Sequence, residues 1–232
     1  MKRIVVFTGA GVSADSGIAT FRDSDGLWAN YRIEEVCTPE ALSNNREKVI
    51  DFYNQRRKEM LEKEPNAAHI ALAKLEQAGK FDVQIVTQNI DNLHERAGSR
   101  NVTHLHGELT KLRSSLNELD TVPINGWKQD PLLRHADGSL LRPFVVFFGE
   151  NVPMLNRAVE ITRRADVFVV IGSSLQVYPA ASLLHFIRKD IPLFVVDPKP
   201  LDLKEIPNPT QSIATRAAEG VPLLVDYFLE KF

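Results

Sequence analysis

Six short apolar runs constrain the fold of this chain more than any other feature. They lie at residues 4–8, 83–87, 102–105, 144–148, 167–171 and 193–196, and are rich in Val, Ile and Phe. Alternating patterns mark strands with one wet face; unbroken apolar runs mark strands covered on both. Segments between them read as helices: 13–17, 39–42, 47–62, 67–78, 92–97, 154–164, 180–188 and 221–230. Thr38-Pro39 reads as an N-cap followed by proline at the first helical position. Gly79 and Gly98 stand where helix C-caps belong. The alternation predicts an α/β fold: a Rossmann-like open parallel sheet with helices on both faces.

Two stretches break the alternation. Residues 26–65 look helical with no strand, and residues 107–142 are polar with scattered Asn, Asp, Pro and Gly. Both read as insertions into one domain spanning 1–232. The expected large lobe is about 1–25, 66–106 and 143–232; the small lobe is about 26–65 and 107–142. A 232-residue chain that is 44% apolar can bury one sizeable core. A net charge of −2 predicts no broad affinity for nucleic acid. No apolar run approaches the roughly 18 residues of a membrane span, and a first strand at Ile4 leaves no room for a signal peptide. The single cysteine, Cys37, excludes an internal disulfide and a paired-cysteine metal site. These features predict a cytoplasmic protein.

The first strand runs into Gly9-Ala10-Gly11. Glycines after a strand let backbone approach a phosphate, and the next helix N-terminus favours the anion. The dinucleotide fingerprint also needs a second strand soon afterwards, and here that strand begins near Val83. Hydride transfer is disfavoured on this spacing. Phe21, Arg22 and Trp28 follow in a polar setting that suits a loop over a cofactor. Gln88, Asn89 and Asp91 come directly after a buried strand, where open parallel sheets bind ligands. His104 and His106 share a strand face, and His106 lies nearer the sheet edge. A neutral imidazole there can act as a general base.

With these pieces in place the sequence resembles the sirtuin family of NAD-dependent protein-lysine deacylases. The resemblance rests on "GAGVSADSGIATFR", "TQNIDNLHERAG", the His106-Gly107 pair, "FFGE" at 147–150 and "GSSLQVYPAA" at 172–181, in family order. It is strongest to the bacterial-type members that remove acidic acyl groups. The resemblance implies that Gly9, Ala10, Gly11, Ser13, Phe21, Arg22 and Trp28 hold or cover the NAD phosphates. It implies that Gln88, Asn89, Ile90 and Asp91 surround the nicotinamide ribose and carboxamide. Gly172, Ser173, Ser174, Asp197 and Ala217 fall to the adenosine side. A strand including Val146, Phe148, Gly149 and Glu150 is expected to pair with substrate backbone. The implied reaction releases nicotinamide and passes the acyl group to ADP-ribose, with His106 as base and Asn89 beside it. ADP-ribosyl transfer to protein, and NAD binding without turnover, are the competing readings.

The helical segment "REKVIDFYNQRRKEMLEK" bears on the acyl group. Val49, Phe52, Tyr53, Arg56 and Met60 form one stripe, which Arg56 interrupts. A guanidinium there must reach solvent, pair with an internal carboxylate, or meet a ligand anion. Tyr53 and Arg56 are helix neighbours, and a hydroxyl with an N–H fork suits a carboxylate. The acid-acyl members of the family show this Tyr-x-x-Arg pattern, which implies removal of succinyl or malonyl groups, with acetyl as a further option. Two departures stand out. The family's zinc module normally holds two cysteine pairs, whereas 107–142 has none. Zinc is therefore expected to be absent, with Leu112, Leu116, Leu119, Trp127, Leu132 and Leu133 as a substitute core. Family members also usually carry Asn near 197 and an acid near 199, where this chain has Asp197 and Lys199.

Overall fold

The computed structural model describes residues 1–19 and 31–232. Phe21, Arg22 and Trp28 lie outside the described residues. Six strands form the main sheet: β1 (Lys2–Thr8), β2 (Phe81–Thr87), β3 (Val102–His104), β7 (Val167–Ile171), β8 (Leu193–Val196) and β9 (Thr210–Ile213). Their spatial order is β3-β2-β1-β7-β8-β9, and every pairing is parallel. The chain leaves β1 towards β2 and later returns to β7 on the other side. The switch in strand order therefore falls between β1 and β7, the position where such sheets open a ligand crevice. Register brings the strand ends level: Thr8 pairs with Thr87 and Ile171, Thr87 with His104, and Ile171 with Val196. Their loops consequently share one edge.

β1 shows why the apolar runs are unbroken. Ile4 and Val6 pack with Leu72 and Leu75 of α5 (Ala67–Gln77) and with Leu224 and Phe228 of α8 (Ala217–Lys231). Val5 and Phe7 pack on the opposite face. There they meet Ala158 and Ile161 of α7 (Leu155–Arg163) and Leu183 of a 3-10 helix, Ala180–Phe186. Alternate side chains thus meet separate helical layers, which is why the strand is apolar on both faces.

A second group of elements packs around a smaller sheet. Helices α2 (Ile33–Val36), α3 (Pro39–Asn44) and α4 (Arg46–Leu61) meet a three-stranded antiparallel sheet, ordered β5 (Thr121–Pro123), β4 (Gly107–Ser114), β6 (Leu141–Val145). Helix starts follow local chemistry: Thr38 accepts from Ala41 N–H at 3.1 Å ahead of Pro39, and Asn45 accepts from Lys48 N–H at 3.2 Å. Gly98 ends α6 (Leu93–Ala97) in the left-handed conformation expected of it.

Several expectations need correction. The run at 144–148 is not a strand of the parallel sheet. Its strand is β6, which ends at Val145 in the small sheet, and residues 146–150 form a turn instead of a strand. Residues 107–142 hold β4, β5 and the start of β6. β9 was invisible because Thr210, Gln211 and Ser212 are exposed on a sheet edge, so no apolar run marks it. The expected leucine core of the small lobe is largely absent: Leu112 is buried, but Leu116 and Leu132 are 79% and 74% exposed.

The apolar cluster here is instead Val36, Val49, Phe52, Leu109, Val145 and Phe147, and buried polar groups lie beside it. Arg57 is only 1% exposed. Its Nε donates to Leu109 O at 2.6 Å, and its Nη1 donates to Trp127 O at 2.7 Å and Asn54 Oδ1 at 3.0 Å. Asn54 exchanges two further bonds with the Gln129 backbone, at 2.8 and 2.9 Å. Helix α4 is thereby stitched to the sheet through main-chain carbonyls. Burial lowers the Arg57 pKa to about 10, so the cation persists at neutral pH. A second knot closes the far end. Ser114 Oγ donates to Asp137 at 2.5 Å and accepts from Leu116 and Asn117 N–H at 3.0 and 3.1 Å. Asp137 also accepts from Ser139 N–H at 2.8 Å, and these donors hold its carboxyl well below the usual range.

Candidate active site

The Gly9–Gly11 turn and the loop after β7 interlock at the switch point. Gly9 N–H donates to Ile171 O at 3.0 Å, and Gly11 N–H donates to Gly172 O at 2.9 Å. A Cβ on Gly11 would lie 2.6 Å from Gly172 Cα, and one on Gly9 would lie 2.7 Å from Gly172 O. Gly172 itself has φ +57°, and its Cβ would meet Gly11 C at 2.5 Å. These glycines are therefore required by backbone against backbone, before any ligand is considered. Gly11→Ala is expected to lower thermal stability by about 1–3 kcal/mol, the scale of overpacking. Thermal unfolding by circular dichroism measures it; an unchanged midpoint would show that the two loops can separate freely.

The turn after β2 is held from several sides. Gln88 N–H donates to Thr8 O at 2.9 Å, and Gln88 Oε1 accepts from Ser173 Oγ at 2.8 Å. Asn89 N–H donates to Thr87 Oγ1 at 3.0 Å, and Asn89 Nδ2 donates to Ser13 Oγ at 3.1 Å. Ser13 Oγ donates to Asp91 at 3.0 Å. The Ser13 hydroxyl, assigned from sequence to phosphate, is thus spent on Asn89 and Asp91. Asp91 is buried, which raises its pKa despite the bonds from Ser13 and Leu93 N–H. Leu109 N–H donates to Ile90 O at 2.8 Å, tying the turn to the small sheet. Behind it, buried His69 and His94 contact edge to face at 4.8 Å and reach Ser13 and Thr8. Burial lowers both, His69 to about 4, so they are neutral scaffolding.

His106 is half-buried where the main sheet passes into the small one. Its Nδ1 lies 2.9 Å from Gln88 O. A carbonyl only accepts, so Nδ1 carries hydrogen and Nε2 of the neutral ring keeps its lone pair. Burial lowers the His106 pKa and secures that neutral form at pH 7. Main chain alone has oriented this ring.

Tyr53 and Arg56 lie beside this turn, on one face of α4. Tyr53 is fully buried, stacks on Phe147 at 5.6 Å and touches Cys37 Sγ through its hydroxyl at 3.2 Å. Arg56 is half-buried over the Phe52 ring at 5.9 Å. Its loss of water lowers its pKa, opposed by Tyr53, Cys37, Asp91 and Glu59. Ile90 packs into the same apolar cluster. The turn at 146–150 is tied to both sides: Val146 N–H donates to His106 O at 3.0 Å, and Phe148 N–H to Cys37 O at 2.9 Å. Gly149 takes φ +88°, and Phe148 is 44% exposed. Glu150, expected at the substrate strand, is engaged by Arg142 at 2.6 Å, Arg113 at 3.1 Å and Phe147 N–H at 2.7 Å.

On the opposite side, Ser174 is exposed and Asp197 accepts from Lys199 N–H at 2.8 Å. Ala217 is buried at the start of α8. Asp15 accepts from Ala218 N–H at 3.2 Å, locking that helix to the glycine turn. Sequence reasoning missed Thr87, Cys37 and the partner of His104. A strand-end Thr two residues before an Asn was the available signal for the first.

A family model described as the Sir2 family matches residues 9–179. A Helicobacter pylori protein named NAD-dependent protein deacylase is 46% identical over 232 residues, covering 99% of each chain. A Bacteroides thetaiotaomicron protein of the same name is 50% identical over 207 residues, 87% of this chain and 88% of that one. A solved complex of a Sir2 homologue with NAD superposes at a TM-score of 0.88, with 41% identity over 99% of this chain and 90% of that one. On fold, site and these matches together, the chain belongs to the Sir2 family.

Proposed function

We propose that this NAD-dependent protein deacylase removes acidic acyl groups, succinyl or malonyl, from lysine side chains. The observation that carries the reading is Arg56, withdrawn from water beside Tyr53, whose ring lies in the apolar cluster that Ile90 joins. A cation withdrawn from water gains from an anion delivered by the ligand, and the Tyr hydroxyl adds a donor. An acetyl group offers neither partner anything.

The donor set around Gln88–Asp91 and His106 fits NAD. Bound NAD supplies a cleavable ribose–nicotinamide bond and a ribose hydroxyl that carries the acyl group away. Gln88, Asn89, Ile90 and Asp91 form the nicotinamide side, with Gly9, Ala10 and Gly11 towards the phosphates. Gly172, Ser173, Ser174, Asp197 and Ala217 form the adenosine side. Phe21, Arg22 and Trp28 complete the assignment in the segment joining the glycine turn to α2. His106 receives a hydroxyl proton at Nε2 while Gln88 O holds its Nδ1–H. Val146, Phe148 and Gly149 offer main-chain groups to the substrate peptide, and Glu150 braces their turn. The large and small lobes divide as the two insertions indicate, with the site at their seam. Among the described residues no helix is long and apolar enough to cross a membrane; a cytoplasmic setting is part of this reading.

The test is NAD consumption with succinyl-, malonyl- and acetyl-lysine peptides, identifying the ribose product. O-acyl-ADP-ribose with faster acidic substrates supports the reading. Labelled ADP-ribose on protein would replace it with transfer to protein, and NAD binding without nicotinamide release would replace it with a sensor.

The donors of the small lobe do not suit the zinc usual in the family. There is no cysteine between 107 and 142. His135 has its two ring nitrogens against Asp120 at 3.4 Å and Asp137 at 3.2 Å. Ser114 and Ser139 are bonded to Asp137. A tetrahedral zinc wants thiolates and imidazoles with free lone pairs. We infer that this lobe folds without metal. Metal analysis is expected to find no stoichiometric zinc, chelator to leave the melting point unchanged, and Asp137→Asn to lower it. Stoichiometric zinc would refute the inference.

A further inference from the structure

His104 is not needed as a base, yet it is 8% exposed and bonded at both nitrogens. Nδ1 lies 2.8 Å from Asn89 O, and Nε2 lies 2.8 Å from Glu95 Oε1 of α6. A backbone carbonyl and a carboxylate both only accept. Both bonds exist together only when the ring carries hydrogen on both nitrogens, as an imidazolium. The neutral ring must give up one of them. The Asn89 carbonyl receives one of these bonds. Its N–H is held by Thr87 and its Nδ2 by Ser13, so His104 supplies the third restraint on that residue.

We propose that Glu95 and His104 form a positioning couple that holds Asn89 in its working orientation, and that deprotonation of His104 loosens it. The proposal rests on the reading of Asn89 as part of the nicotinamide-side machinery. The couple acts at one remove: His104 braces the turn, Glu95 keeps His104 charged, and neither is a catalytic residue. Glu95 of α6 and Glu108 of β4 favour the charged ring. Asp91, in the braced turn, is itself stabilised as an anion by it. His94 of α6, already neutral through burial, is pushed further that way. Burial works against the charge, but the partners prevail and the pKa of His104 is raised.

His106 must be neutral, so activity is lost as pH falls through its lowered pKa. His104 must be charged, so activity declines as pH rises through its raised pKa. The two histidines, two residues apart on one strand end, thus set opposite limbs of one profile.

Three variants test this through nicotinamide release from NAD with a saturating acyl-lysine peptide. Glu95→Gln keeps a hydrogen-bonding group but removes the charge, and it is expected to move the alkaline limb to lower pH with the acid limb in place. His104→Asn can still donate to Asn89 O through its amide, and is expected to keep most of kcat while losing the alkaline limb. His104→Leu loses the bond entirely and is expected to lower kcat about tenfold, the scale of one charge-assisted hydrogen bond, with KM for NAD within about threefold. Rescue by Asn relative to Leu separates positioning from simple destabilisation, as do melting points measured alongside. An alkaline limb unmoved in Glu95→Gln, or Asn and Leu variants equally impaired, would overturn the proposal. Asn89→Ala serves as the separate control. If it releases nicotinamide at the wild-type rate, the reading of Asn89 fails and the couple has nothing to position. If it is inactive while the His104 variants are normal, the couple alone is refuted.

Discussion

His106→Ala is expected to reduce deacylation by roughly 10²–10⁴-fold, the usual worth of a positioned general base. The structure explains why so much rests on one ring. Gln88 O fixes the tautomer at 2.9 Å, and burial keeps the ring neutral. Asp91 is committed to Ser13 and Leu93 N–H, and His104 to Asn89 and Glu95. The loss should appear in kcat more than in KM for NAD, because the base acts on the reacting hydroxyl. In the wild type, activity should fall below about pH 6.5 only once the lowered His106 pKa is reached, so the acid limb lies below the ordinary histidine value. Steady-state kinetics from pH 5 to 9 would measure both. A variant with more than one tenth of wild-type kcat would remove His106 from the role.

Arg56→Met should separate substrates that the wild type orders by charge. Met keeps the length and apolar stem of the side chain while deleting the cation. Hydrogen bonds to charged groups contribute about 1.5–3 kcal/mol, so kcat/KM for a succinyl peptide should drop by roughly ten- to a hundredfold. The acetyl peptide should change by less than about threefold, since an acetyl group makes no ion pair. Tyr53→Phe should move in the same direction by less, because Tyr53 supplies one neutral donor already in contact with Cys37. Paired kinetics on the two peptides decide the matter. An intact succinyl rate in Arg56→Met would mean that Arg56 serves the fold beside Phe52 and Asp91 rather than the ligand.

The contrast between Arg56 and Arg57 shows where sequence reading stops. They are adjacent in an arginine pair; spacing puts Arg56 on the Tyr53 stripe but does not say what Arg57 meets. One residue on a helix is about 100° of rotation. That angle sends Arg56 towards the Tyr53 face and buries Arg57 against Leu109 and Trp127 carbonyls. The second role depends on β4 and the segment after β5, which come more than 50 residues later in the chain.

The apolar runs, the Gly-Ala-Gly turn and the polar residues after β2 were enough to specify a parallel α/β sheet with a site at its carboxyl edge. Each of those signals is local: strand burial forces unbroken apolar runs, and a tight turn forces glycine. The small lobe was a different matter. Beside an apolar cluster of Val49, Phe52, Leu109 and Phe147, it is cross-linked by buried Arg57, Asn54 and Gln129 and by Ser114 bonded to Asp137. Polar residues that find partners far along the chain look the same in sequence as those that face water. His104 is the sharpest case. In sequence it is one of two histidines flanking Leu105; only the approach of Asn89 O and Glu95 gives both its nitrogens an acceptor. Local patterns carried the scaffold because burial acts residue by residue. Long-range pairing set the tautomers, the charges and the lobe, because a hydrogen bond is defined only once both partners are in place.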